Sequence, residues 1–227
     1  MKIQIWSDYA CPYCYIGKRH LEQALEQFAH ADEVEVEFKA FELYPNAGKT
    51  CINTTQQRIE KKYGKSPQGA LDMIAHIEKM GERAGLAMNY AGVKNTNTFD
   101  AHRLYHWAKS LGKGDEMNEC LMKAYFCDNV ELANHDNLAK CAEDVGLNSD
   151  YAKAMLASND FAQAVKDDER EAQSVGVQGV PFFVFDGKTA TSGAMPVGSL
   201  LGLLNQLYQD NQSDNLTGAS CGIDGCE

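Results

Sequence analysis

Positive charge, long apolar runs and internal repeats are all scarce in this chain of 227 residues. Lysine and arginine together number 21 against 32 aspartates and glutamates, which gives a net charge of −11 at pH 7. This excess of negative charge argues against a nucleic-acid groove or an anionic membrane as the main partner. No window is apolar for long enough to predict a transmembrane span.

The N-terminus has neither a basic leader nor an apolar segment of the kind that directs secretion. We therefore expect a cytoplasmic protein, in a compartment where most thiols are kept reduced. There, the eight cysteines are expected to form two working pairs and scattered free thiols rather than a structural disulfide framework.

The most informative motif is Cys11-Pro12-Tyr13-Cys14, which separates a short apolar strand from an amphipathic helix. Two cysteines with this spacing at a strand-to-helix turn are typical of a redox pair. Free N–H groups and the helix dipole at a helix N-terminus stabilise a thiolate, the form that attacks disulfides. We predict Cys11 as the nucleophile and Cys14 as the more buried, resolving thiol. The alternative is half of a zinc site, which usually needs a second pair of ligands.

Hydrophobic periodicity predicts a β-α-β unit at the start and a long helical stretch after it. Residues 2–7 and 34–40 are predicted strands on either side of a helix over about 12–28, and strands joined in this way are parallel. Residues 46–176 follow helical spacing, with helices predicted to begin near 67, 99, 117, 136 and 160.

The pattern of strands returns after Gly176. Residues 180–185 are a predicted strand, Asp186-Gly187 is a hairpin turn, and residues 188–192 return before a final helix over 196–208. These outer parts have the connectivity of a thioredoxin domain. The predicted fold class is therefore α/β, a thioredoxin fold with a large inserted all-helical domain.

The corresponding division places residues 1–45 and 177–209 in a discontinuous thioredoxin domain and residues 46–176 in the inserted helical domain. Residues 210–227 are expected to form a flexible tail that carries Cys221 and Cys226. We interpret this pair as a second redox pair that exchanges with Cys11–Cys14. A zinc or soft-metal site and a tail without a role are the alternatives.

Two signatures resemble those of the cytosolic FrnE-type branch of the DsbA-like thioredoxin superfamily: residues 7–19 at the start and residues 176–188 near the end. The resemblance covers residues 1–209. It implies that Pro181 is cis and lies opposite the cysteine pair. It also implies that the backbone of Val180 pairs with an extended peptide or glutathione beside Cys11. The alternative is that Pro181 only begins a strand.

The dipeptide between the cysteines, Pro12-Tyr13, is that of glutaredoxins. Strongly oxidising periplasmic enzymes have a histidine where Tyr13 stands, and tyrosine cannot carry its positive charge. The related kappa-type glutathione transferases and hydroxychromene-carboxylate isomerases typically have serine at the position of Cys11. Cysteine there favours thiol–disulfide chemistry.

We therefore expect a thiol–disulfide oxidoreductase or isomerase that acts on protein or glutathione-mixed disulfides. Pro12, Tyr13 and Val180 are the expected substrate-binding residues. It needs no metal or cofactor, and glutathione is a candidate co-substrate. One alternative is a glutathione-dependent transferase or isomerase, and another is a redox-linked chaperone or metal-binding protein.

The remaining candidate residues have plainer interpretations. Cys120 and Cys141 are predicted core residues, and His102 and His106, four apart on one helix, are either metal ligands or packing residues. Three basic residues after the cysteine pair either add positive potential or form a solvated face: Lys18, Arg19 and His20.

Overall fold

Within residues 1–218, which the computed structural model describes, the chain forms a mixed sheet of four strands. Strand β1 (Lys2–Ser7) lies between β2 (Glu35–Ala40) and β3 (Phe182–Phe185), and β4 (Thr189–Ser192) pairs with β3. The β1–β2 pair is parallel and the other two pairs are antiparallel. The predicted strands and the parallel β-α-β unit are confirmed.

Alternating side chains give the sheet two buried faces. Ile3 and Ile5 are buried on one face, where Ile5 is in register with Phe183. Trp6 points to the other face and joins a second apolar cluster that includes Val184. The sheet therefore lies in the interior, with helices needed on both sides.

Helices α1 (Pro12–Leu25) and α9 (Val197–Gly218) pack together and share the core that contains Ile5. Helix α8 (Ala162–Val175) covers the opposite face, where the indole Nε1 of Trp6 donates to the carbonyl oxygen of Asp168 at 3.0 Å. This arrangement is a thioredoxin-type sheet with helices on both faces.

The chain between β2 and α8 is the helical insertion, and it confirms the predicted fold class. The Ser66 hydroxyl accepts from the Gly69 N–H at 3.1 Å, which confirms the predicted cap. The helices of this segment are α2 (Thr55–Tyr63), α3 (Pro67–Arg83), α4 (Phe99–Ser110), α5 (Gly114–Phe126), α6 (His135–Asp144) and α7 (Ser149–Ala157).

Helices α2 and α7 were not predicted from the periodicity. Each is only nine residues long, and α2 buries only Thr55 and Ile59. So few apolar residues give a weak periodic signal. Both helices nonetheless begin after a residue type that favours the N-cap position. The side chains of Thr54 and Asn148 accept from backbone N–H groups of the first turn.

The C-terminal helix is longer than predicted. We expected a flexible tail from residue 210, but α9 continues to Gly218. The Asn211 side chain donates to Asp186 Oδ2 at 2.7 Å and so ties this polar part of the helix to the β3–β4 turn. Residues 210–218 of the expected tail are thus helical, while the flexibility of the tail stays a prediction. Cys221 and Cys226 lie outside the described residues, so their exchange with Cys11–Cys14 stays a prediction.

The boundaries of the two predicted domains also stay a prediction, because one apolar core runs through sheet and insertion alike. Among the described helices, none has an apolar stretch long enough to cross a membrane.

Candidate active site

Cys11 lies at the N-terminus of α1 as its N-cap residue, with an extended backbone (φ −103°, ψ 111°). Its N–H donates to the Asp8 carbonyl oxygen at 3.0 Å, and the Cys14 N–H donates to the Cys11 carbonyl oxygen at 3.0 Å. Pro12 follows at the first helical position, where no N–H is needed. This turn places the Cys11 sulfur at the helix end that favours a thiolate.

Cys14 lies one turn into the helix, and 2 % of its surface is exposed against 5 % for Cys11. Both thiols are buried, and Cys14 is the more deeply buried of the two, as predicted. Burial raises the pKa of Cys14 well above its ordinary value, and a hydrogen bond with Cys11 raises it further. Cys14 therefore keeps its proton at neutral pH.

The segment that leads into β3 runs beside Cys11. The Val180–Pro181 peptide bond is cis, as predicted. The Cys11 thiol donates to the Val180 carbonyl oxygen, with the sulfur 3.4 Å from the oxygen. Pro181 packs on α1 so closely that a Cβ added at Gly17 would lie 3.2 Å from its Cγ. The structure thus brings Cys11, Val180 and Pro181 together, while their roles in the reaction stay predictions.

Two tyrosines, Tyr13 between the cysteines and Tyr90 in the insertion, have raised pKa values. Burial raises the pKa of Tyr13, and the charges of Cys11 and Tyr63 raise it further. Burial also raises the pKa of Tyr90 to about 12 against the charge of Arg58, and the Cys11 charge contributes to the increase. Tyr90 belongs to the insertion, and no sequence signal linked it to Cys11.

This geometry agrees with the comparison to known protein families. The family model described as DSBA-like thioredoxin domain matches residues 2–205. The chain belongs to this family. The match spans both Cys11 and Cys14 of this DSBA-like protein.

Relatives span nearly the whole chain. The chain is 33% identical to a probable DsbA oxidoreductase from Streptomyces coelicolor, with a TM-score of 0.88, covering 100% of this chain and 94% of that one. It is 30% identical to YwbO of Bacillus subtilis, described as uncharacterized, over 85% of this chain and 90% of the relative.

Two more distant structures share the fold alone. One is a 2-hydroxychromene-2-carboxylate isomerase, with 14% identity, a TM-score of 0.70, and coverage of 94% of this chain and 98% of that one. The other is the cytosolic disulfide reductase DsbM from Pseudomonas aeruginosa with GSH, with 15% identity, a TM-score of 0.61, and coverage of 94% and 100%.

A buried polar group lies behind the cysteine pair of the DSBA-like protein. Asp8 is fully buried, and its carboxylate accepts from the Leu43 N–H at 2.7 Å and the Thr98 hydroxyl at 2.8 Å. His102 Nε2 lies 3.5 Å from Asp8 Oδ1, whereas His106 Nε2 lies 2.9 Å from Asp168 Oδ2. The two histidines therefore contact different carboxylates. Among the side chains that the structure describes, those of residues 1–213, no group of three or more metal-ligating residues is placed to hold an ion.

Lys18 and Arg19 form neither a solvated face nor an unpaired positive patch. Lys18 is buried, and its Nζ lies 2.5 Å from both Glu22 Oε1 and Glu119 Oε2. Arg19 also pairs with Glu119, at 2.8 Å. His20 contacts the Met195 carbonyl oxygen at 2.8 Å. These carboxylates compensate the two positive charges.

The other described cysteines lie in the insertion, as free thiols. Cys141 is buried as predicted, and Cys120 is half-buried beside it, with its sulfur 3.8 Å from the Cys141 carbonyl oxygen. A hydrogen bond from Cys141 lowers the pKa of Cys120. Cys51 and Cys127 are half-buried, at a loop and at the end of α5.

Proposed function

We propose that this protein is a thiol–disulfide oxidoreductase of protein or glutathione-mixed disulfides, with Cys11 as nucleophile and Cys14 as resolving thiol. The observation that carries the proposal is the position of the Cys11 sulfur. It lies at the N-terminus of α1 and 3.4 Å from the Val180 carbonyl oxygen, with the buried Cys14 thiol behind it. An extended substrate that pairs with the Val180 backbone would bring its disulfide to this sulfur.

The reaction proceeds by two exchanges. The Cys11 thiolate attacks one sulfur of the substrate disulfide, the substrate S–S bond breaks, and the released thiolate takes a proton. Cys14 then loses its proton and attacks the Cys11 sulfur, which releases the second substrate thiol. The substrate is reduced by two electrons, and Cys11 and Cys14 are oxidised to a disulfide. If a second thiolate of the substrate, rather than Cys14, attacks the substrate sulfur of the mixed disulfide, the Cys11 thiolate is released, the substrate gains a new disulfide, and the same site acts as an isomerase.

Glutathione is the proposed co-substrate, and the proposed compartment is the cytoplasm. The cytosolic reductase DsbM, which shares the fold, has been crystallised with GSH. The Pro12-Tyr13 dipeptide, which has no charge, favours a moderately reducing couple over a strong oxidant. The reaction as proposed uses no resident metal or other cofactor.

Reduction of insulin and of a glutathione-mixed disulfide tests this function. We expect Cys11→Ser to abolish both reactions. Cys14→Ser should instead form a mixed disulfide that persists, because the resolving thiol is missing. Cys51→Ser is the matched control, since Cys51 lies in a loop and its thiol donates to the Asn53 carbonyl oxygen.

Full activity in Cys11→Ser would contradict the proposal. A glutathione-conjugation assay on the same variants tests the alternative enzyme class. Conjugation that survives Cys11→Ser, with no disulfide reduction by the wild type, would favour a transferase or isomerase of the kind that shares this fold.

A further inference from the structure

A cavity of about 770 Å³ lies between the loop after β2 and helix α2. Its lining, taken over the described residues, contains the cations Lys49 and Arg58 and no aspartate or glutamate. Lys49 Nζ lies 4.0 Å from Asp100 Oδ2, so the positive charge of the cavity comes mainly from Arg58, in a chain whose net charge is −11. The volume of the cavity lies in the range of small-molecule sites.

The guanidinium of Arg58 donates hydrogen bonds to two neutral side chains. Nη1 donates to Asn95 Oδ1 at 2.9 Å and Nη2 donates to the Tyr90 hydroxyl at 3.4 Å. Its Nε is buried and has no hydrogen-bond partner, and no carboxylate among the described side chains of residues 1–213 forms an ion pair with Arg58. A partly buried cation without a counter-ion is costly. A bound anion would compensate it.

Asp8 connects this cavity to the turn that carries the reactive thiol. Its Oδ2 accepts at 2.7 Å from the N–H of Leu43, which lines the cavity, and its carbonyl oxygen accepts from the Cys11 N–H at 3.0 Å. The ring of Tyr44, which also lines the cavity, lies 5.7 Å from the Arg58 guanidinium. The cavity and the Cys11 turn thus contact the same buried aspartate.

We propose that Arg58 and this cavity bind a carboxylate of the substrate while Cys11 attacks its disulfide, so that the substrates are small disulfides that carry carboxylates. The planar fork of an arginine matches a carboxylate and pairs with it through charged hydrogen bonds. This inference rests on the proposed function and deepens it. An acidic side chain in a peptide disulfide could present the same carboxylate to Arg58. The test distinguishes such a peptide from a small disulfide.

The test uses three small disulfides that differ in charge: dithiodipropionate (anionic), bis(hydroxyethyl) disulfide (neutral) and cystamine (cationic). The rate at which each oxidises the reduced full-length protein is divided by its rate with dithiothreitol, which removes differences in intrinsic reactivity. We expect the anionic disulfide to be favoured over the neutral one by about tenfold. The cationic disulfide should be the slowest, and the preference should decrease as salt is added.

Arg58→Gln should reduce the anionic-to-neutral ratio about tenfold. Lys61→Gln is the matched control, because it removes one positive charge from an exposed position of the same helix outside the cavity. It should retain the ratio. If circular dichroism shows that Arg58→Gln does not fold, the rates of the three disulfides with the wild type, and their dependence on salt, still test the carboxylate site.

Equal corrected rates for the anionic and neutral disulfides would overturn the carboxylate site and leave the proposed function intact. No reaction with any of the three would contradict the proposed function itself. A preference that persists in Arg58→Gln would also overturn the site. An acidic peptide disulfide that is favoured over its neutral counterpart, without any preference for dithiodipropionate, would overturn the assignment to small substrates.

Discussion

Cys11 and Cys14 have different surroundings although only Pro12 and Tyr13 separate them. Cys11 caps α1, with its sulfur 3.4 Å from the Val180 carbonyl oxygen. Cys14 faces the core, where burial raises its pKa. Because the thiolate is the reactive form of cysteine, this difference should set the order in which the two thiols react.

We expect iodoacetamide at neutral pH to alkylate Cys11 at least about tenfold faster than Cys14. The rate at Cys14 should rise as the pH is increased, because its raised pKa keeps it protonated until the solution is alkaline. Peptide mass spectrometry of samples quenched over time measures both rates. Unfolded protein is the control, and there the two rates should converge. Similar rates in the folded protein would contradict the assignment of roles.

At the scale of elements, the site depends on how closely α1 approaches the strand that follows Pro181. Gly17 permits this approach, since a Cβ there would lie 3.2 Å from Pro181 Cγ and 3.4 Å from Phe183 Cζ. Both neighbours are buried, so neither can move without disturbing the core. The helix that carries the thiols is therefore held against the segment that would bind substrate.

Gly17→Ala should destabilise the protein by about 1–3 kcal/mol, because the added methyl group overpacks this contact. It should also slow disulfide exchange by displacing Cys11 from Val180. Gly202→Ala in α9 is the control, since no heavy atom lies within 4 Å of its added Cβ. Urea unfolding measures both variants. Equal stabilities for the two would show that α1 has room to move.

At the scale of the whole molecule, Asp168 joins the insertion to the sheet. Its Oδ2 accepts from the Ala40 N–H of β2 at 2.8 Å and lies 2.9 Å from His106 Nε2 of α4, and its Oδ1 lies 3.4 Å from Lys39 Nζ. Burial alone would raise the pKa of Asp168, but the His106 and Ala40 hydrogen bonds hold it below the ordinary value. The ionised carboxylate thus stabilises the folded state.

A lowered pKa in the folded state predicts acid sensitivity. The contribution of Asp168 is present above the unfolded pKa of about 3.9 and is lost as the pH falls through the folded value. We expect Asp168→Asn to lower the free energy of unfolding by about 1–3 kcal/mol at neutral pH, with a smaller difference from wild type in acid. Asp32→Asn, at an exposed position, is the control. A difference that does not change with pH would contradict the ionic role.

Local sequence patterns were sufficient for much of the fold. The strands, the cap at Ser66 and the position of Cys11 at the start of α1 depend on neighbours along the chain, so periodicity and capping residues predicted them. The cis bond at Pro181 came from a family resemblance rather than from periodicity. Periodicity failed where apolar residues were few, in α2 and α7, and at the polar end of α9, which a contact with Asp186 ties to the sheet.

By itself, the sequence determined that a dithiol opens a helix and that a helical insertion interrupts a thioredoxin-type sheet, because both features lie in short, continuous patterns. Only the tertiary structure decided which distant side chains surround that dithiol. Val180 comes to lie beside Cys11, and Tyr90 and Arg58 from separate parts of the insertion come into contact, only after the chain has folded. Likewise, His102 and His106 share a helix but contact different acids. Such contacts depend on how the helices and strands pack against one another, and this packing produces no periodic pattern in the sequence.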